Sequence, residues 1–483
     1  MLRFDALPQG LSKDVLLLCL PRVIATSLSI IETAIWTQEA ELRGQSFFGG
    51  PPEVAVLSGK EIPKVTNFTQ PSEAQIKVLH FPFLRNVART KSWTPWHKLS
   101  LAFLHPFAIA ITHNSLLRLN ASSQRVKFVH PESLLKQDVN WRVNADLTQE
   151  ILSSVCEEVD KIDCLLPEKQ DLVKRLVLVN CIPHCDEAQL LMHSARCISK
   201  LPSQIWGGAG GYRPARAIRI EARRRGSWVV GHDHSCITGM IAEKESSVLA
   251  DLSVADEFIL PTKKSVDVFG QGPESRLLPK TGQAKLSWLQ GDPTMVSTGH
   301  FREKQKSMVN KPRVLYVSGA FIGFRQRIPP RIPDIVKLDW QIRLVKMLIS
   351  MKIELKSQMH PGGVLQGQPH PVNTLGTSSN MRFEEAKDWA QVFVFDVVQS
   401  TTFPMALITH KPIVLIDHGM NKFNNNMKTL LGERCLILYV ERDSRNRINI
   451  ERELLELSIM EAAKMDPDPT PFSEMYAGDY ALI

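Results

Sequence analysis

Two groups of residues in this sequence combine side chains that can move protons or hold anions. His232-Asp233-His234 sets a carboxylate between two imidazoles, a combination able to serve as general base, nucleophile or metal ligand. Adjacent side chains on an extended segment point opposite ways, so the three are not expected to meet one metal ion. The second group lies in the C-terminal third: His360-Pro361-Gly362-Gly363, then Asp396 through Ser400-Thr401-Thr402, then Asp417-His418-Gly419. Ser400, Thr401 and Thr402 join hydroxyls to the free backbone N–H groups of an expected helix start, which is an anion site. The competing reading is a plain N-cap with no ligand. His360 could bond a base, a ribose or a phosphate. A glycine run, Gly207-Gly208-Ala209-Gly210-Gly211, would let a ligand approach the backbone closely. It lacks the Lys-Ser/Thr ending of a P-loop and the spacing of a dinucleotide fingerprint. Gly207, Gly208 and Arg213 are candidate substrate contacts, as are Asp396 and Asp417; Arg213, Arg216, Arg223 and Arg224 can equally be the solvent face of a helix.

These residues need elements that bring strand ends together. Pro214 to Arg225 reads as a basic helix opened by proline, with Gly226 as its stop. Ser227 to Val230 reads as a strand ending at the His-Asp-His cluster, and Glu257 to Leu260 as another, with a helix around Ser247 before it. In the last third, Arg313 to Val317, Val392 to Phe395 and Pro412 to Ile416 are apolar runs of strand length, and Ile353 to Met359 reads as another strand. Helical patterns at Asp339 to Ile349, Phe383 to Trp389 and Phe403 to Thr409 separate them. Strands apolar throughout and alternating with helices imply a parallel sheet covered on both faces. In such a sheet ligands collect outside the carboxyl ends of the strands, where His360, Asp396, Ser400 and Asp417 fall. The sequence predicts an α/β chain with an N-terminal lobe over 1–300, in which 1–200 is a candidate separate portion. A nucleotide-binding lobe follows over 311–460. Residues 262–310 read as a long connection and 461–483 as an irregular tail.

Composition sets limits on the reading. The chain has 483 residues, 43% of them hydrophobic and 22% charged, the profile of a chain that folds into two or three domains. Lys and Arg exceed Asp and Glu by 58 to 50, an excess too small to imply nucleic acid. The aromatic and basic stretch from 75 to 115 reads first as a core helix with a charged outer face. The eight cysteines are spread out and mostly lie beside apolar residues, so they read as reduced and buried. Cys181-Ile-Pro-His184-Cys185 lacks the second ligand pair of a structural zinc site, so no metal and no cofactor are expected. The apolar run at 15–20 is interrupted by Pro21 and Arg22, so no membrane span of roughly 18 residues is expected. The chain reads as cytoplasmic, without a signal peptide.

The C-terminal motifs resemble those of two-lobed (GT-B-like) glycosyltransferases. The segment Asp396-Val-Val-Gln-Ser-Thr-Thr-Phe-Pro-Met-Ala-Leu-Ile-Thr-His-Lys-Pro-Ile-Val-Leu-Ile-Asp417 looks like the stretch such enzymes use near the donor phosphates. His360-Pro361 followed by Ser400-Thr401 resembles the His-Pro and Ser/Thr motifs of enzymes using CMP-activated acidic sugars. These include bacterial sialyltransferases and the Kdo transferases of capsule and lipopolysaccharide assembly. His232-Asp233-His234 before Ser235 and Gly239 looks like the His-Gly-centred segment of the capsule Kdo transferases. The resemblance covers about 200 to 460 and implies two Rossmann-like lobes facing a cleft. It also implies a cytidine nucleotide held by the His-Pro and Ser/Thr motifs, and a catalytic carboxylate in the N-terminal lobe, which is Asp233 here. The Asp/Glu-Asp-Gly motif of one sialyltransferase group is missing, which argues against simple sialyl transfer.

The expectation is a glycosyltransferase that takes a nucleotide-sugar donor and a polysaccharide or glycolipid acceptor. It would work in the cytoplasm or at the inner face of the membrane, with peripheral membrane association as a candidate. The rivals are a CDP-alcohol-type phosphotransferase, a catalytically silent nucleotide-sugar or polysaccharide binder and, more distantly, a nucleic-acid scaffold.

Overall fold

The computed structural model of the chain describes residues 11–44, 108–122, 124–135, 141–234, 239–242, 244–271, 284–289, 311–319, 321, 332, 334–360, 370–379, 381–420, 422–443 and 447–476. The run Val54 to Leu57, which reads as a strand in the sequence, most of the aromatic and basic stretch, and Pro361, Gly362 and Gly363 lie outside them.

The chain opens with a long helix, α1 (Leu11–Leu42). A first α/β unit follows: β1 (Ala108–Ala110), α2 (Ser115–Ser122), β2 (Val126–Phe128), α3 (Pro131–Leu134), α4 (Ala145–Val159), α5 (Pro167–Arg196), β3 (Gln204–Gly207), α6 (Arg213–Arg224), β4 (Trp228–His232), α7 (Glu245–Ala250), β5 (Glu257–Leu260), α8 (Lys263–Gln271) and β6 (Lys285–Trp288). The second unit comprises β7 (Arg313–Val317), α9 (Asp334–Ile349), β8 (Glu354–Gln358), α10 (Phe383–Trp389), β9 (Val392–Phe395), α11 (Thr402–Leu407), β10 (Ile413–Asp417), α12 (Asn425–Arg434) and β11 (Cys435–Tyr439). The helices α13 (Arg452–Ala462) and α14 (Thr470–Tyr476) close the described chain.

The first sheet has strand order β2-β1-β3-β4-β5-β6 and is parallel throughout. Side chains alternate faces along each strand. Ile109, Ile205 and Val229 therefore pack with α1, α4, α5 and α6, whereas Ala110, Trp206 and Val230 meet Leu116 and Leu117 of α2 on the other face. The second sheet has order β11-β10-β9-β7-β8, again parallel. Leu315, Phe393, Phe395 and Leu415 line one face, and Val314, Val394 and Val414 pack on the other with Trp340, Leu344 and Leu348 of α9. The four strands expected in the last third thus form one parallel sheet. The chain is an α/β protein with two Rossmann-like sheets and a helical N-terminal region, a GT-B-like two-lobed architecture.

Three expectations change. Residues 262–310 contain α8 and the edge strand β6; Lys285-Leu-Ser-Trp288 hides its strand character because an edge strand tolerates polar side chains. The supposed irregular tail holds α14, where Phe472, Met475 and Tyr476 sit at helical spacing and are buried. Pro21 lies inside α1 and does not end it. The segment Leu11–Glu39 is long and apolar enough, by length and composition, to cross a membrane. Here it packs along α5, with Val15, Cys19 and Val23 buried against Val177, Cys181 and Cys185.

The second lobe is fastened by two cations, Arg434 buried and Lys411 half-buried. Arg434, at the end of α12, donates to the carbonyls of Ala406, Leu407, Thr409 and Lys411 at 2.6 to 3.1 Å. These carbonyls lie at the end of α11 and in the turn into β10, where the helix ladder has run out. Lys411 does the same for α10, donating to the carbonyls of Lys387, Asp388 and Ala390. Replacing Arg434 by Met should lower stability by about 3 kcal/mol or more, because buried carbonyls lose a charged donor. Lys should restore little, since an ammonium cannot reproduce the planar fork. Urea unfolding midpoints of the two variants check this, and a Lys variant as stable as the parent would refute the fork's role.

Candidate functional site

In the second sheet β7 runs to β8 on one side, and the chain then returns to β9 on the other. This reversal opens a crevice at the carboxyl ends of β7 and β9. Register places Val317 beside Gln358 and Phe395, so Ser318, His360 and Asp396 emerge from neighbouring strand ends. Ser318 Oγ accepts the His360 backbone N–H at 3.2 Å, and the His360 side chain is exposed. Asp417 ends β10 on the next strand and accepts the Gly419 N–H at 2.9 Å.

The hydroxyls of Ser400 and Thr402 lie 2.8 Å apart and bond each other. Thr401 makes no side-chain cap, and the helix that follows has six residues. The anticipated capping hydroxyls therefore spend their hydrogen bonds within the turn, and so short a helix makes no anion site of its own.

Beneath this rim lies a polar layer that sequence reasoning missed except for Asp396 and His418. Tyr316, on β7, donates its hydroxyl to Asp396 Oδ2 at 2.7 Å. Burial, with the Asp396 carboxylate beside it, holds that phenol well above its usual range. Gln341 of α9 lies 3.1 Å from His370, and Trp340 meets the His418 ring edge-on at 5.5 Å. Burial lowers the pKa of both His370 and His418; Lys337 adds to each effect, and Asp396 opposes it at His418. Both rings are neutral near pH 7. Lys337, Trp340 and Gln341 stand at helical spacing on α9, which puts them on one face. That spacing was the readable signal.

The first lobe has the same kind of crevice, between β1 and β3, where the chain turns back. Here the protein fills it with itself. Thr112 Oγ1 accepts the N–H groups of Gly208 and Ala209 at 2.9 and 3.2 Å. Asn114 Nδ2 donates to the carbonyls of Gly208, His232 and Asp233. A Cβ at Gly208 would meet the Asn114 backbone nitrogen at 2.7 Å. Gly207 lies against the Arg219 guanidinium, and Gly210 against Ala250 and Asp251. The glycines permit close approach, but to the chain's own groups.

Arg219 is 0% exposed, and none of its guanidinium nitrogens has a hydrogen-bond partner among the described residues. Burial depresses its pKa, with Asp251 opposing. Arg216 is buried too, held by the carbonyls of Leu17 and Ala250 and the hydroxyl of Ser253. Neither belongs to a solvent face. Arg213 pairs with Glu187 of α5, on the helical side of the sheet.

His232 and Asp233 are 1% and 3% exposed, while His234 is exposed. His232 packs against Trp206 at 5.2 Å between ring centroids, and its Nε2 lies 3.0 Å from Asn120 Nδ2. Burial pushes its pKa down to about 3, a backbone contact with Gly207 opposes that, and Arg219 adds to it. A neutral, enclosed imidazole suits a structural role; Asp233 is enclosed with it, and His234 alone of the three is exposed. Among the described residues no three His, Cys, Asp or Glu side chains gather as a metal site.

His232 has a consequence for stability. Its folded pKa lies below the ordinary 6.5, so the unfolded chain takes up a proton that the folded chain refuses. The folded state should be unaffected by this group above about pH 6.5 and should lose up to about 1.4 kcal/mol per pH unit below it. Urea midpoints between pH 7.5 and 5 should fall more steeply for the parent than for His232→Gln. Equal slopes would mean that the folded imidazole takes up protons freely.

No protein-family model matches this chain, and no curated protein matches it. Among solved structures the chain is similar to a Listeria monocytogenes protein described as a UDP-N-acetylglucosamine 2-epimerase. The two share 10% identity over 78% of this chain and 95% of that one, with a TM-score of 0.35. The two-lobed architecture is read from the strand orders, not from this likeness.

Proposed function

We propose that the chain is a nucleotide-sugar enzyme, a glycosyltransferase that moves a sugar from a nucleotide donor to a polysaccharide or glycolipid acceptor. A CMP-activated acidic sugar is the favoured donor. The observation that carries the reading is the meeting of Ser318, His360 and Asp396 at neighbouring strand ends, at the switch point of a parallel sheet. Such crevices take nucleotides and their sugars. In this reading the second lobe holds the nucleotide, with His360 at its rim and Ser400, Thr401 and Thr402 as further contacts. The first lobe receives the acceptor, whose hydroxyl Asp233 deprotonates as general base with His234 beside it. The enzyme works in the cytoplasm at the inner face of the membrane, where glycolipid acceptors lie.

Calorimetry with CMP, UDP and GDP tests the donor. One of them should bind the parent, and His360→Ala should weaken it roughly ten- to hundredfold, with no loss of thermal stability. If every nucleotide binds parent and variant alike, His360 is not a contact.

Product analysis with CMP-sugar and CDP-alcohol donors tests the reaction; turnover of the second alone would make the chain a phosphotransferase. Asp233→Asn should reduce turnover by a factor of about 10² to 10⁴ while nucleotide affinity holds. Parental turnover there would remove Asp233 from the chemistry.

A further inference from the structure

The hydrogen bonds around Asp396 define what the crevice is missing. His370 Nδ1 accepts the Val372 N–H at 3.1 Å. In a neutral ring the proton is then on Nε2, which faces Gln341 Oε1 at 3.1 Å. A backbone amide thus sets the tautomer, and the tautomer sets the orientation of the Gln341 amide. Gln341 is 0% exposed; its Nε2 leans on the Tyr316 hydroxyl without making a full hydrogen bond, and has a hydrogen to spare. Asp396 is 5% exposed; Tyr316 satisfies one oxygen, and Oδ1 is buried with no partner. Trp340 Nε1 and His418 Nδ1 are buried and unpartnered in the same way.

Contacts tie these atoms into one group. Tyr316 joins Asp396, Trp340 touches His418, and His418 feels the charges of Asp396 and Lys337. Trp340 and Gln341 are successive residues of α9. Buried polar atoms are rarely left unsatisfied, so a cluster of them calls for a ligand or for water.

Whatever occupies the crevice must accept hydrogens from Gln341 Nε2 and Trp340 Nε1, and must also give one to Asp396 Oδ1. An ionised phosphate or carboxylate only accepts, and it would meet Asp396 charge to charge. A hydroxyl does both. We infer that this crevice recognises the hydroxyls of a sugar ring, and that the donor's phosphates lie elsewhere. The inference rests on the nucleotide-sugar reading and deepens it. Two rings could supply the hydroxyls, the ribose of the nucleotide and the sugar being transferred.

Calorimetry on the full chain separates them. The nucleotide that binds is compared with its 2′,3′-dideoxy form, and the nucleotide alone with its sugar-bearing form. On the parent, loss of the recognised hydroxyls should weaken binding roughly ten- to hundredfold. Asp396→Asn keeps an acceptor for Tyr316, and Gln341→Glu keeps one for His370. Each should weaken the hydroxyl-bearing ligand by a similar factor and leave its hydroxyl-free counterpart unchanged. The pair that behaves this way identifies the ring. If hydroxyls and sugar make no difference to the parent, the inference is overturned, water fills the crevice, and the nucleotide reading survives. If no nucleotide binds at all, the functional reading falls. Neutral monosaccharides then decide the inference: D-ribose or D-glucose should raise the melting temperature of the parent and not of Asp396→Asn, and no rise would overturn it.

Discussion

A parallel sheet covered on both faces leaves one place for polar chemistry. Along β7, β9 and β10 almost every side chain is buried in a hydrophobic cluster, because helices cover each face and the strands have no wet side. Polar groups are therefore displaced to the strand ends, and the carboxyl ends are where loops are free to vary. Where the order of strands reverses, two loops diverge and a crevice opens. Ser318 and Asp396 flank that gap in the second sheet, and Thr112 and Gly208 flank its counterpart in the first. The positions of the candidate residues are thus a consequence of burying the sheets.

The two crevices treat the same constraint in opposite ways. In the first lobe the hydroxyl of Thr112 and the amide of Asn114 satisfy the glycine turn. Arg219 beside it is a buried cation balanced through space by Asp251. In the second lobe a chain of fixed donors runs from the Val372 backbone through His370 to Gln341 and stops short of saturation. A saturated turn makes a rigid wall. An unsaturated one makes a recognition surface, since its orientation is set before anything binds.

Much of the frame could be read from residue order. Uninterrupted apolar runs located β7, β9 and β10, and Pro214 and Gly226 bounded α6; Gly226 adopts the left-handed φ of +82° that the helix stop requires. The polar edge strand β6 and the helix α14 carried weak patterns, because edge position and docking on another lobe are tertiary facts. The site divides along the same line. Asp396 was visible as the last residue of an apolar run. Tyr316 was hidden inside such a run, with a partner 80 residues away. His370 meets Gln341 across 29 residues, a distance that no local pattern reports.

The closing helix α14 also governs how the chain can be made. Phe472, Met475 and Tyr476 share one hydrophobic cluster with Met240 and Val268 of the first lobe, and Thr262 donates its hydroxyl to the Met475 carbonyl at 2.8 Å. During synthesis, α8 emerges some two hundred residues before the helix that covers it. Until residue 476 has left the ribosome, the part of the first lobe that α14 covers in the finished chain stays bare.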